Sequence, residues 1–73
     1  MAKLRVLSGQ EVCKILTQHG FDVVRQRGSH IVMQKRTVDS TITVPVPNHG
    51  ELSIGTLQSI IRQSHLPRSI FEV

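Results

Sequence analysis

Phe21-Asp22-Val23-Val24-Arg25-Gln26, then Arg27-Gly28-Ser29, then His30-Ile31-Val32-Met33-Gln34-Lys35-Arg36 is the stretch on which the fold turns. Both long runs are rich in β-branched and apolar residues, and the short link between them carries a glycine and a serine, so the whole reads as a β-hairpin. Thr37-Val38-Asp39-Ser40 is a second turn. After it Thr41-Ile42-Thr43-Val44-Pro45-Val46 alternates, placing Ile42, Val44 and Val46 on one face and Thr41 and Thr43 on the other. Pro45 has no N–H to give a ladder, which marks an edge strand or one about to end. The three runs make an antiparallel meander.

Helices flank the meander. Ser8-Gly9-Gln10-Glu11 fits a capping box, in which a serine hydroxyl and a glutamate three residues on each satisfy a free N–H at a helix start. Val12, Ile15, Leu16 and His19 follow at helical spacing and Gly20 is the stop signal. On the far side Pro47-Asn48-His49-Gly50-Glu51 is turn chemistry, and Ile54, Leu57, Ile60 and Ile61 mark a second amphipathic helix with Ser53 as its cap, closed by His65-Leu66-Pro67. Arg68 to Val73 reads as a short tail with Ile70 and Phe71 turned back onto the core. The expected order is α-β-β-β-α, an α+β fold in which both helices cover one face of a three-stranded antiparallel sheet and the other face is open. No repeat, linker or low-complexity run divides the chain, so residues 1–73 form a single domain.

Size and charge narrow the function. A domain of 73 residues has no room for a deep enclosed site, so its chemistry belongs on an open face. Nine Lys and Arg against five Asp and Glu give a net charge of +4, and the pI of 10.3 points to a polyanion, nucleic acid before membrane. No apolar run approaches the length of a membrane span, and Met1-Ala2-Lys3-Leu4-Arg5 lacks the apolar core of a signal peptide. A lone cysteine, Cys13, forms no internal disulfide. A cytoplasmic protein is expected. With two phenylalanines and neither Trp nor Tyr, recognition by stacking bases on aromatic platforms is disfavoured, leaving phosphates and hydroxyls as the targets.

The hairpin link concentrates the chemistry. Arg25 and Arg27 carry fixed positive charge that attracts phosphate, Gly28 permits positive φ or close approach, Ser29 adds a hydroxyl, and His30 is a side chain of the type that gives or takes a proton near neutral pH. Lys35 and Arg36 at the end of the second strand, and His49 on a polar loop, are further candidates to hold RNA. The same residues also have plain readings, a hairpin turn, a solvated strand end and a loop histidine. The five carboxylates are scattered and the four histidines have no metal-site spacing, so neither a metal nor another cofactor is expected. A metal-free ribonuclease asks for less: the RNA brings its own 2′-hydroxyl nucleophile, and the protein holds the phosphate and moves protons.

The pattern of Ser8-Gly9 before a helix, Gly20-Phe21, Arg25-Gln26-Arg27-Gly28-Ser29-His30, Val44-Pro45-Val46-Pro47-Asn48-His49 and Ile54-Gly55-Thr56-Leu57 resembles the HicA family, the mRNA-interferase toxins of HicAB toxin–antitoxin systems. The likeness covers essentially the whole chain. It implies a double-stranded-RNA-binding-domain-like fold, ribosome-independent cleavage of mRNA that arrests translation and growth, and a catalytic histidine at His30. It also implies a cognate HicB-like antitoxin that covers this face, with the free toxin monomeric. The alternative is a non-catalytic RNA-binding module of the same shape, gripping RNA through phosphates and 2′-hydroxyls with no need of His30. A third reading, a structural subunit of a complex, uses the open sheet face but leaves the charge idle.

Overall fold

A computed structural model describes residues 3–73. Met1 and Ala2, the start of the stretch read above for a signal peptide, lie outside the described residues. The elements run α1 (Gly9–Gln18), β1 (Asp22–Arg27), β2 (His30–Arg36), β3 (Thr41–Pro47) and α2 (Ile54–Ser64), followed by a short 3-10 helix at Arg68–Phe71. The order is the one expected, and a three-stranded antiparallel sheet with two helices is the double-stranded-RNA-binding-domain-like arrangement. Sheet order is β1-β2-β3, so β2 is central.

Both helix caps are made by the residues anticipated. Ser8 N–H donates to Glu11 Oε1 at 2.9 Å and Glu11 N–H donates to Ser8 Oγ at 3.1 Å. Hydrogen bonding from the Ser8 backbone N–H, and next from the Ser8 side chain, holds the Glu11 carboxyl below its ordinary pKa, because it favours the charged form. Ser53 Oγ accepts from Thr56 N–H at 3.2 Å at the start of α2. That helix ends on His65 in the left-handed region, φ 61°, while the buried Ser64 hydroxyl donates to the Ile61 carbonyl and accepts from Leu66 N–H. The hairpin is tighter than the sequence suggested. Arg27 belongs to β1, and Gly28-Ser29 alone forms the turn, with positive φ (56°) at Gly28 only. Positive φ confined to the first of two turn residues is the type II′ pattern, whose twist matches the strands it joins.

Ile31 and Met33 of β2 and Val44 and Val46 of β3 are buried on one sheet face against Val12, Ile15 and Leu16 of α1 and Leu57 and Ile60 of α2. Phe21, read above as a strand residue, precedes β1 and is buried in this core. Burial also keeps the Cys13 thiol pKa above its ordinary value, so it behaves as a small hydrophobe. The tail does more than fold back. Phe71 is completely buried, its carbonyl accepts from Arg5 N–H at 2.8 Å, and Val73 N–H donates to the Lys3 carbonyl at 2.8 Å. The two ends of the chain thus close one side of the core.

One close approach joins three segments. Gly9 N–H donates to the His49 carbonyl at 2.9 Å, Gln10 Nε2 donates to Asn48 Oδ1 at 3.1 Å, and Asn48 N–H donates to the Ser29 carbonyl. A Cβ on Gly9 would collide with the Pro47 carbonyl oxygen and stand 3.0 Å from Asn48 Cα, so only glycine lets α1 reach this loop.

Three outcomes are expected. Phe71→Ala costs about 3 to 5 kcal/mol, enough to unfold much of a domain this small, as read by urea melts. Gly9→Ala destabilises by roughly 1 to 3 kcal/mol although alanine is the better helix former, and shifts the NMR amide resonances of Ser29 and Asn48, because the collision outweighs the propensity gain. For Glu11 the folded pKa is lowered, so its contribution is present above the ordinary glutamate range and is lost as pH falls through the lowered value. Thermal melts of wild type and Glu11→Gln should therefore differ at neutral pH and converge in acid.

Candidate RNA-processing face

The open face of the sheet is set by a register shift. Antiparallel pairing runs Asp22↔Gln34 and Val23↔Met33, then shifts by one residue to Arg25↔Val32, Gln26↔Ile31 and Arg27↔His30. Val24 is the extra residue of this β-bulge. Paired residues share a face, so Val23 lies on the helix side with Met33 while Arg25 and Arg27 lie on the open side with Val32 and His30. Unbulged, Val23, Arg25 and Arg27 would all share one face. The bulge turns both arginines to the histidine's side.

β3 completes the open face with Thr41, Thr43, Pro45 and Pro47 opposite Arg36, Gln34, Val32 and His30. Gln34 Nε2 donates to Thr43 Oγ1 across it at 3.2 Å. His30 is exposed between Arg27 on one side and Pro47 on the other, at the end of the sheet where the Gly28-Ser29 turn, the Asn48-His49 loop and the start of α1 meet. Arg25, Arg27, Gly28 and Ser29 are likewise exposed. Cationic side chains, turn N–H groups and a histidine with two ring nitrogens therefore meet solvent together, the chemistry suited to gripping a phosphodiester and moving a proton beside it.

The candidates do not all gather there. Lys35 alternates to the helix side, half-buried, with its ammonium 5.9 Å from the Phe21 ring centroid and its stem against Gly20. Arg36 is on the open face but at the opposite end of the seven-residue β2, about 20 Å from His30 at the rise of an extended strand. It extends the cationic surface without reaching the turn. His49 is exposed in the loop beside the turn, held through its carbonyl by Gly9. His19 caps the other end of α1, its Nδ1 2.9 Å from the Ile15 carbonyl, and His65 ends α2. Among the described residues no three His, Cys, Asp or Glu side chains gather as a metal-binding set. No helix among them is long and apolar enough to cross a membrane.

Gln10 and Asn48 were not candidates from sequence, yet their side-chain hydrogen bond ties α1 to the loop beside His30. They are 38 positions apart, and neither the capping pattern at one nor the turn composition at the other signals the pairing.

The family model of the HicA toxin of bacterial toxin–antitoxin systems matches residues 9–66, from the first residue of α1 to just past the end of α2. No curated protein matches the chain. The matched span contains the whole sheet, the bulge, the hairpin turn and the Asn48-His49 loop, and covers most of the chain. The protein belongs to the HicA toxin family, and is the toxin of a toxin–antitoxin system that has a cognate antitoxin as its partner.

Proposed function

We propose that this toxin is an endoribonuclease that cuts mRNA without a metal ion, by proton transfer at His30, and thereby stops translation and growth. One observation carries the reading: the bulge at Val24 sets Arg25 and Arg27 on the solvent-open face that bears His30. Arginines beside the histidine would hold the phosphodiester and offset the charge that builds on its oxygens as the 2′-hydroxyl attacks. The Gly28-Ser29 turn lets the RNA backbone approach closely, since no side chain stands at Gly28 and a Cβ there would meet nothing within 4 Å. Arg36, farther along the same face, would bind the strand at a distance from the cut.

The setting follows from the substrate. The toxin acts in the cytoplasm, where mRNA is, as a monomer until its HicB-like antitoxin covers the His30 face. An antitoxin that lies over a surface with Arg25, Arg27 and Arg36 exposed is expected to present carboxylates to it.

The test is cleavage of a long mRNA by the purified chain in excess EDTA, wild type beside His30→Ala, with product ends analysed. Wild type should cut and leave 2′,3′-cyclic phosphate, and His30→Ala should lose about 10²- to 10⁴-fold in rate, the usual worth of a positioned acid or base, while binding RNA about as well. Binding by both proteins with cutting by neither would replace the enzyme with an RNA-binding module.

A further inference from the structure

Cleavage through His30 leaves one proton transfer unassigned. As the 2′-oxygen bonds to phosphorus its proton must leave, and as the bond from phosphorus to the 5′-oxygen breaks that oxygen must gain one. A single neutral or charged imidazole performs one of these transfers.

The fold removes most other candidates from the turn. Lys35 is on the far face over Phe21, and His19 ends α1 at Gln18's side, one helix length of about 15 Å from the Gly9 end. His65 follows α2. Glu11 is engaged by the Ser8 cap, and Arg27, opposite His30, offers only hydrogen-bond donors and no acceptor to take a proton. His49 remains. Pro47 pairs with His30, and Asn48 continues the ladder by donating its N–H to the Ser29 carbonyl. The Asn48 side chain turns to the helix side, where Gln10 Nε2 bonds it. His49 is the next residue, exposed in the loop that the Asn48 bond ties to Ser29, the chain neighbour of His30. The His49 backbone is fixed by its carbonyl's bond to Gly9, while its side chain is exposed and makes no hydrogen bond among the described residues.

We infer that His49 is the second proton-transfer group, touching the scissile phosphodiester from the loop while His30 touches it from β2. This rests on the ribonuclease reading given above. One imidazole takes the proton of the 2′-hydroxyl as the new bond to phosphorus forms, and the other, as imidazolium, gives a proton to the departing 5′-oxygen. The products are a 2′,3′-cyclic phosphate and a 5′-hydroxyl, and no electron pair or proton is left over. Arg25 and Arg27 of β1 share the face of His30; of the nearest carboxylates, Glu11 is bonded to the Ser8 N–H and Glu51 is exposed two residues beyond His49.

The experiment measures kcat and KM on a long RNA in excess EDTA across about pH 5 to 9 for wild type, His49→Ala and His49→Asn, the range in which imidazoles change charge. Because His49 holds α1 through its carbonyl, both variants keep that bond, and thermal melts confirm it. The expected result is a bell-shaped wild-type profile, a loss of about 100-fold or more in kcat for both variants with KM changed less than about threefold, and disappearance of one limb of the bell. The inference is overturned if the variants keep kcat within about fivefold of wild type, if kcat falls with both limbs intact, or if only KM rises. Failure of the wild type itself to cut in EDTA would sink the ribonuclease reading and this one with it, whereas a cutting wild type with equally active variants removes His49 alone.

Discussion

The contact on which the functional end of this molecule depends is the approach of the α1 N-terminus to the Pro47-Asn48 backbone. It brings together a helix start, a hairpin turn and a loop that are far apart in sequence, through Gly9 to His49, Gln10 to Asn48 and Asn48 to Ser29. Each bond is ordinary in strength, of order 1 kcal/mol net. Their joint effect is geometric: with three anchors on one short loop, the residues beside the turn have few ways to move. Gly9 is the element that admits no substitute, because the space a side chain needs is occupied by main chain.

The second determinant is the bulge in β1. Every residue of β1 is exposed, so hydrophobic burial does not fix which way its side chains point. Pairing with β2 does. The one-residue shift at Val24 changes the phase of the strand and puts both arginines on the side of His30. On an open face in water, charge interactions are screened and individually weak. Arginines serve such a site by attracting a polyanion and orienting phosphate through paired N–H groups, which needs correct direction more than burial.

The core performs a different task with equal economy of residues. Four strand side chains, Ile31, Met33, Val44 and Val46, meet the apolar stripes of both helices, and Phe71 from the tail seals the side where the chain ends pair. Every buried side-chain nitrogen and oxygen among the described residues has a hydrogen-bond partner, so the interior carries no desolvated polar group to offset its modest hydrophobic gain. Covering the helix-side face of β2 and β3 and leaving the other face of the sheet bare is what makes an open, cationic working surface possible in so short a chain.

Local chemistry in the sequence determined the elements. The Ser8–Glu11 box and Ser53 set the helix starts, the period of Ile42, Val44 and Val46 set the buried face of β3, and Gly28-Ser29 set the hairpin, because caps, alternation and turns depend on residues a few positions apart. The place of Arg25, Arg27 and His30 in one stretch was legible too, and the family pattern singled out that stretch. Only the tertiary structure decided which of the remaining cations accompany them. Lys35 and Arg36 are neighbours in sequence, yet the strand's alternation sends one to the aromatic side of the sheet and leaves the other on the open face far from the turn. The bulge, the Gln10–Asn48 bond and the fit of Gly9 against Pro47 depend on pairing between segments that meet only when the chain is folded, and no local pattern encodes where that meeting occurs.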